Sequence, residues 1–215
     1  MSKSKENPVL DAGEFSAWVA QMTDAMRGAR PADVPCGDCT GCCTSSQFVH
    51  VEPDDVDALA HIPDELLFPA PHAPEGHRLL GYNERGHCPM LVDGGCSIYE
   101  FRPWTCRTYD CRIFAATGVE ADDDKPVIAN RARQWRFRFD SDDGKIRQEA
   151  MSAAARYLIE NKSELPEELV FYNATQHAVL AFRIHELFLL TDEKTGLPVV
   201  AEPKLADVIT ALKRI

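Results

Sequence analysis

The sequence predicts an α+β fold: a small cysteine-rich core with short strands or a hairpin, packed against several helices. Three observations predict it. Apolar residues recur at helical spacing near the N-terminus and again over the last third of the chain. Short β-branched and aromatic runs, bounded by turn residues, lie between them. All eight cysteines fall within residues 36–111, read in order as Cys36-x2-Cys39-x2-Cys42-Cys43, then Cys88, Cys96, Cys106 and Cys111.

The first element is a helix over Gly13–Arg27. Asp11 and Glu14 have the spacing of a capping box, and Phe15, Trp18, Val19, Met22 and Met26 form a core stripe. Gly28–Pro35 is a linker. Phe48–Val51 reads as a strand, and Pro53-Asp54-Asp55-Val56 opens a short helix with acids near its positive end. Pro63–Gly76 holds four prolines and is expected to be an irregular loop. Asp93-Gly94-Gly95 is a hairpin turn between Cys88–Val92 and Cys96–Tyr99. A helix starting near Pro103 carries Cys106 and is long enough to reach Cys111.

Beyond the cysteines, Trp135, Phe137 and Phe139 alternate with Arg136 and Arg138, a strand pattern. Arg147–Lys162 and Pro166–Leu190 are expected to be helices, the second more apolar. Thr195–Pro198 is a turn, and Lys204–Arg214 is a closing helix. The expected organisation is residues 1–118 with the cysteines and a mainly helical 119–215, forming one compact unit.

Hydrophobic residues make up 45% of the chain, enough for an ordinary core. The net charge of −11 argues against a nucleic-acid backbone or an anionic membrane as a partner. Acidic runs at Asp122–Asp124 and Asp140–Asp143 read as solvated loops. No stretch approaches the roughly 18 apolar residues of a membrane span. The opening MSKSKENPVLDAGEFSAWV has no signal-peptide core, so a cytoplasmic location is expected.

In a reducing compartment, clustered cysteines are ligands more often than staples. A C-x2-C step brings two thiolates of one turn to one metal ion, as zinc sites and iron–sulfur clusters both require. Eight soft donors suffice for two four-thiolate centres, or for one centre plus reactive thiols. Adjacent Cys42 and Cys43 point apart in most backbone geometries and so are expected to serve different centres. Cys36, Cys39 and Cys42 match the opening of a bacterial ferredoxin motif, but its fourth cysteine is missing at that spacing, the nearest Cys-Pro being Cys88-Pro89. Zinc and an iron–sulfur cluster are both allowed. Arg85, Arg102, Arg107 and Arg112 enrich the window in positive charge, which offsets the net negative charge of a metal thiolate.

His50, His72, His77 and His87 lie near the cysteines in sequence, but each alone reads more naturally as a surface or core residue. His177 and His185 read as core histidines. No dinucleotide fingerprint, phosphate loop, nucleophile elbow or deaminase pattern is present. Catalytic residues and a substrate site are therefore not assigned.

Three blocks, CGDCTGCC, CPMLVDGGCSIYE and RPWTCRTYDC, closely resemble the zinc- or iron-chelating cysteine-cluster family, which also takes in flagellin lysine N-methylase-like proteins. The resemblance covers about Pro35 to Ile113. It implies a metal cluster made of Cys36, Cys39, Cys42, Cys43, Cys88, Cys96, Cys106 and Cys111. Tyr99, Glu100, Arg102, Pro103 and Arg107 would frame it. It further implies zinc or iron as cofactor, with the 4Fe-4S cluster that the ferredoxin-like spacing allows as one form of the iron. The expected partners are a metal ion and, beyond it, a protein. The alternative it raises is an iron- or cluster-dependent modification enzyme.

Overall fold

The computed structural model describes residues 8–32, 34–71 and 73–214. In chain order its elements are β1 (Leu10–Glu14), α1 (Phe15–Met26), β2 (Val49–Val51), α2 (Val56–His61), β3 (Leu67–Pro69), β4 (Arg78–Leu80), β5 (Leu91–Val92), β6 (Gly95–Cys96) and α3 (Trp104–Thr108). Then come α4 (Arg112–Thr117), α5 (Pro126–Ala132), β7 (Trp135–Arg138), α6 (Asp142–Glu160), α7 (Ala174–Ile184), β8 (Leu189–Thr191), β9 (Pro198–Val200) and α8 (Leu205–Leu212). The fold is α+β. The chain divides into two units: one takes the described residues up to Trp18, Cys111–Asp123 and from Ala129 onward; the other takes Val19–Asp110 and Asp124–Ile128.

In the first unit, β1 pairs in parallel with β7, matching Leu10 to Trp135 and Glu14 to Arg138. Strand pairing therefore claims residues 10–14, which the sequence reading gave partly to the first helix. Glu14, not Asp11, caps α1: its carboxylate oxygens accept the backbone N–H groups of Ser16 and Ala17 at 2.9 and 2.6 Å. Phe15, Trp18, Phe137, Phe139 and Phe182 form one run of ring contacts. The main core lies between α6, α7 and α8. Ala150, Ala154 and Ala181 keep the helices close, and Leu158, Ile184, Phe188 and Val208 fill the space.

The predicted Pro166–Leu190 helix is shorter than its apolar pattern suggests. Asn173 is extended and its side chain accepts the N–H of Gln176, starting α7 there. Asp122 adds a second acceptor for the Ala174 N–H, at 3.0 Å. That acid caps a helix and is not simply solvated. After Ile184 the chain tightens into a 3-10 turn, His185–Phe188, and leaves as β8.

The second unit holds a three-stranded antiparallel sheet in the order β2-β4-β3. Val51, Ala58, Ile62, Leu67, Leu80 and Ile98 form its small core, and Cys88, Met90 and Cys96 pack against that core. The proline-rich stretch contains β3, which the sequence reading missed. Leu67 pairs with Leu80 and both are buried, while Pro69 sits on an edge strand, where its missing N–H does no harm. Among the described residues, no helix is long and apolar enough to cross a membrane.

Candidate metal centre

Seven cysteines line one cavity of about 320 Å³ in the second unit: Cys36, Cys39, Cys42, Cys43, Cys88, Cys96 and Cys106. All eight cysteines are described, and no disulfide joins any two of them. The first block is a pair of tight turns. The Cys39 N–H donates to the Cys36 carbonyl, and Gly41–Thr44 then makes a single 3-10 turn. That turn exposes Cys42 and half-buries Cys43.

The second block is tied to the first by main-chain hydrogen bonds. The Cys88 N–H donates to the Cys43 carbonyl at 2.8 Å, and the Ser46 N–H donates to Gly86 at 2.9 Å. Gly86 has φ +76°, and a side chain there would meet the Ser46 hydroxyl at 2.3 Å. The predicted hairpin follows: Val92 pairs with Gly95 around Asp93 and Gly94, both at positive φ as a two-residue I′ turn requires. This places Cys96 across from Leu91.

The third block is α3, which carries Cys106 and ends at Thr108. The predicted continuation to Cys111 fails because the chain extends at Tyr109, and Cys111 instead stands immediately before the separate helix α4. One residue the sequence reading passed over holds α3 in place. Asp55, 6% exposed, accepts the N–H of Glu52 with one oxygen and the N–H of Trp104 with the other. Arg107 lies 3.6 Å from the same carboxylate. In the sequence Asp55 is one acid of a helix start, and nothing local marks its partner Trp104, 49 residues away.

Cys43, Cys88, Cys96 and Cys106 lie near enough that ionising one opposes ionising the others. Burial pushes the Cys43 thiol up to about 11, with Cys88 and Cys96 adding to the rise and Arg102 opposing it. Burial pushes Cys106 up to about 12, helped by Cys43, Cys88 and Cys96 and again opposed by Arg102. Cys88 is raised by burial and by Cys96, while the backbone N–H groups of Met90 and Leu91 on its sulfur pull the other way. Cys39 acts on Cys43 alone within this set.

The surroundings suit thiolates. Besides the N–H donors at Cys88, the Gly41 N–H points at the Cys39 sulfur at 3.5 Å. Such donors stabilise sulfur once it is anionic. Arg102 and Arg107 line the cavity, and the Nε atom of each is buried with no hydrogen-bond partner among the described residues. A buried orphan donor needs an acceptor, and a metal thiolate beside Arg102 supplies one. The donor set therefore fits a metal centre. The thiols stand around the cavity and do not close on a point: among the described residues, no three His, Cys, Asp or Glu side chains form a group that could hold an ion.

The other sequence candidates lie elsewhere. Cys111 is a buried residue of the first unit, where its sulfur accepts the Trp135 indole N–H at 3.2 Å. Arg112, also in that unit, donates to the Ala12 carbonyl. Arg85 and Glu100 are exposed and do not line the cavity, whereas Tyr99 and Pro103 do. His50, His77 and His87 are not in its lining. His72 lies outside the described residues. His177 and His185 are buried core residues of the first unit, bonded to the carbonyls of Ala155 and Phe182.

Clustered soft donors with aimed N–H groups and neighbouring guanidinium groups are the chemistry of a metal-chelating cysteine cluster. The CxxCxxCC family model, described as a putative zinc- or iron-chelating domain, matches residues 35–131, and that stretch carries this domain. The match runs past Ile113, where the resemblance read from the sequence ends. Part of the added stretch packs on the first cysteine block, with Lys125 donating to the Ser45 carbonyl and Val127 lying against Gly41. The description concerns chelation and does not extend to methylation. No curated protein and no solved structure matches the chain.

Proposed function

We propose that the protein binds zinc or iron through Cys43, Cys88, Cys96 and Cys106, with Cys36, Cys39 and Cys42 as an outer set of thiols at the same cavity. The meeting of thiols from all three sequence blocks at one cavity carries this reading, and within it Cys88 and Cys96 add to the proton affinity of Cys43 and all three add to that of Cys106. Four thiolates around a divalent ion carry a net charge of −2, and Arg102 and Arg107 are the cations placed to offset it. Cys111 is assigned a packing role beneath Trp135 and is left out of the centre. The doublet is then split, with Cys43 facing the four-thiol set and Cys42 in the outer one.

Bound there, the metal supplies a cross-link among the three blocks and lowers the proton affinity of its thiols. The chain's own residues do the rest. Met90, Leu91 and Gly41 orient sulfur, Arg102 neutralises it, and Asp55 sets the pitch of α3. No substrate-binding group is assigned, so the role favoured is a metal-bearing module.

A polynuclear iron–sulfur cluster is the second reading. Two observations favour it: the cavity far exceeds the space one ion needs, and the donors ring that space without converging. Elemental analysis with an absorption spectrum separates the readings. Broad visible absorption with iron and sulfide marks the cluster; a colourless protein with one zinc per chain marks the single ion.

A further inference from the structure

The outer face of the β2-β4-β3 sheet brings two imidazoles together, away from the thiols. His77 Nδ1 and His50 Nε2 are 3.3 Å apart, and the two rings lie at 5.0 Å and 25°. Strand alternation explains the meeting. Val51 and Leu80 are buried, so His50 faces outward opposite Leu79. His77 precedes Leu79 by two residues and shares that face. Its backbone is held by hydrogen bonds at both its N–H, to Pro74, and its carbonyl, from Ala70. Both imidazoles are half-buried.

The separation suits a shared ion as well as a long hydrogen bond. Hydrogen bonds from N–H donors fall at about 2.7–3.2 Å, so 3.3 Å is already long for an imidazole pair. Two nitrogens bound to one tetrahedral ion at about 2.0–2.1 Å stand about 3.3–3.4 Å apart. The His50–His77 separation matches the edge of such a coordination sphere. One step past the Val51–Arg78 pair, the register sets Glu52 opposite His77. The Glu52 backbone is pinned, donating to Asp55 and accepting from it.

We propose that His50 and His77 form a second metal site, taking a divalent first-row cation such as zinc or nickel on imidazole nitrogen. Glu52 rotates in as the third donor, and water completes the shell. Among the described residues no third donor joins the pair as the side chains stand, so the site is open and exchangeable. Borderline cations suit nitrogen and oxygen ligands of this kind, whereas the softer thiol set lies in the separate cavity.

The test uses the full chain with its thiols already loaded with zinc, titrated with nickel and followed by calorimetry. Wild type is expected to take one further equivalent of nickel. His50→Gln or His77→Gln should weaken that binding at least tenfold, and Glu52→Gln should weaken it less. Zinc content and the circular dichroism spectrum of each variant should match wild type, which separates loss of the site from loss of the fold. Absence of an additional nickel equivalent in wild type, or the same affinity in the double histidine variant, overturns the proposal.

Discussion

Asp55 Oδ1 accepts the backbone N–H of Trp104 at 2.8 Å, tying the loop before α2 to the first turn of the helix that carries Cys106. Asp55→Ala leaves two N–H groups without their acceptor and Arg107 without its counter-ion. A loss of about 2–3 kcal/mol is expected, the range for a buried charged acceptor. Asp55→Asn keeps one acceptor oxygen and should lose less. Urea unfolding with and without metal checks this: the Ala variant should also gain less from metal, because Cys106 is no longer held in place.

The thiol shifts give the metal-free protein an alkaline weakness. Cys43 and Cys106 hold their protons in the fold to about 11 and about 12, against 9.0 for an ordinary thiol. Above pH 9 the unfolded chain therefore binds fewer protons than the fold, and stability falls as pH rises. Metal-loaded protein should behave oppositely, because its thiols are already deprotonated: it holds metal at neutral pH and releases it on acidification. Unfolding midpoints across pH 7–11, measured with and without metal, should diverge as pH increases. Parallel curves would contradict the assignment.

Gly86→Ala should damage the strap that joins the first two cysteine blocks. Its left-handed backbone costs a side-chain-bearing residue about 1–2 kcal/mol, and the Ser46 hydroxyl must also move. Gly94→Ala shares the backbone penalty but meets no neighbour. Metal content should fall more in the Gly86 variant, as measured by elemental analysis of the purified proteins.

Asn173→Ala removes the cap of α7 in the other unit. A loss of about 1 kcal/mol is expected, moderated by the second acceptor at Asp122. Because no thiol ligand is involved, the loss should be the same in metal-loaded and metal-free protein, read from paired denaturation curves.

Much of this was legible from the residues. Periodicity placed the core of α1, alternation placed β7, and Asp93-Gly94 placed the hairpin that positions Cys96. Alanine richness placed α6 from Arg147 on, though it starts at Asp142, within a run read as a solvated loop. Local pattern failed where a distant partner decided the outcome. Residues 10–14 are a strand because Trp135–Arg138 is there to pair with them. Leu67–Pro69 is a strand because Leu80 lies across from it. Pro166–Leu190 looked continuous because apolar spacing outweighed the capping signal of Asn173. In the site, spacing singled out the cysteines as candidates, but only the fold brings seven of them to one cavity and sets the Cys111 sulfur against the Trp135 indole N–H. Asp55 was invisible as a positioning residue because Trp104 is far from it in sequence.

The most direct test of the four-thiol centre is the metal content of five single Cys→Ser variants, each checked for folding by circular dichroism. Cys43→Ser, Cys88→Ser, Cys96→Ser and Cys106→Ser should each lose the metal of the four-thiol centre, while Cys111→Ser should retain the wild-type amount. Full metal in any of the first four, or loss of metal in a folded Cys111→Ser protein, would contradict the account.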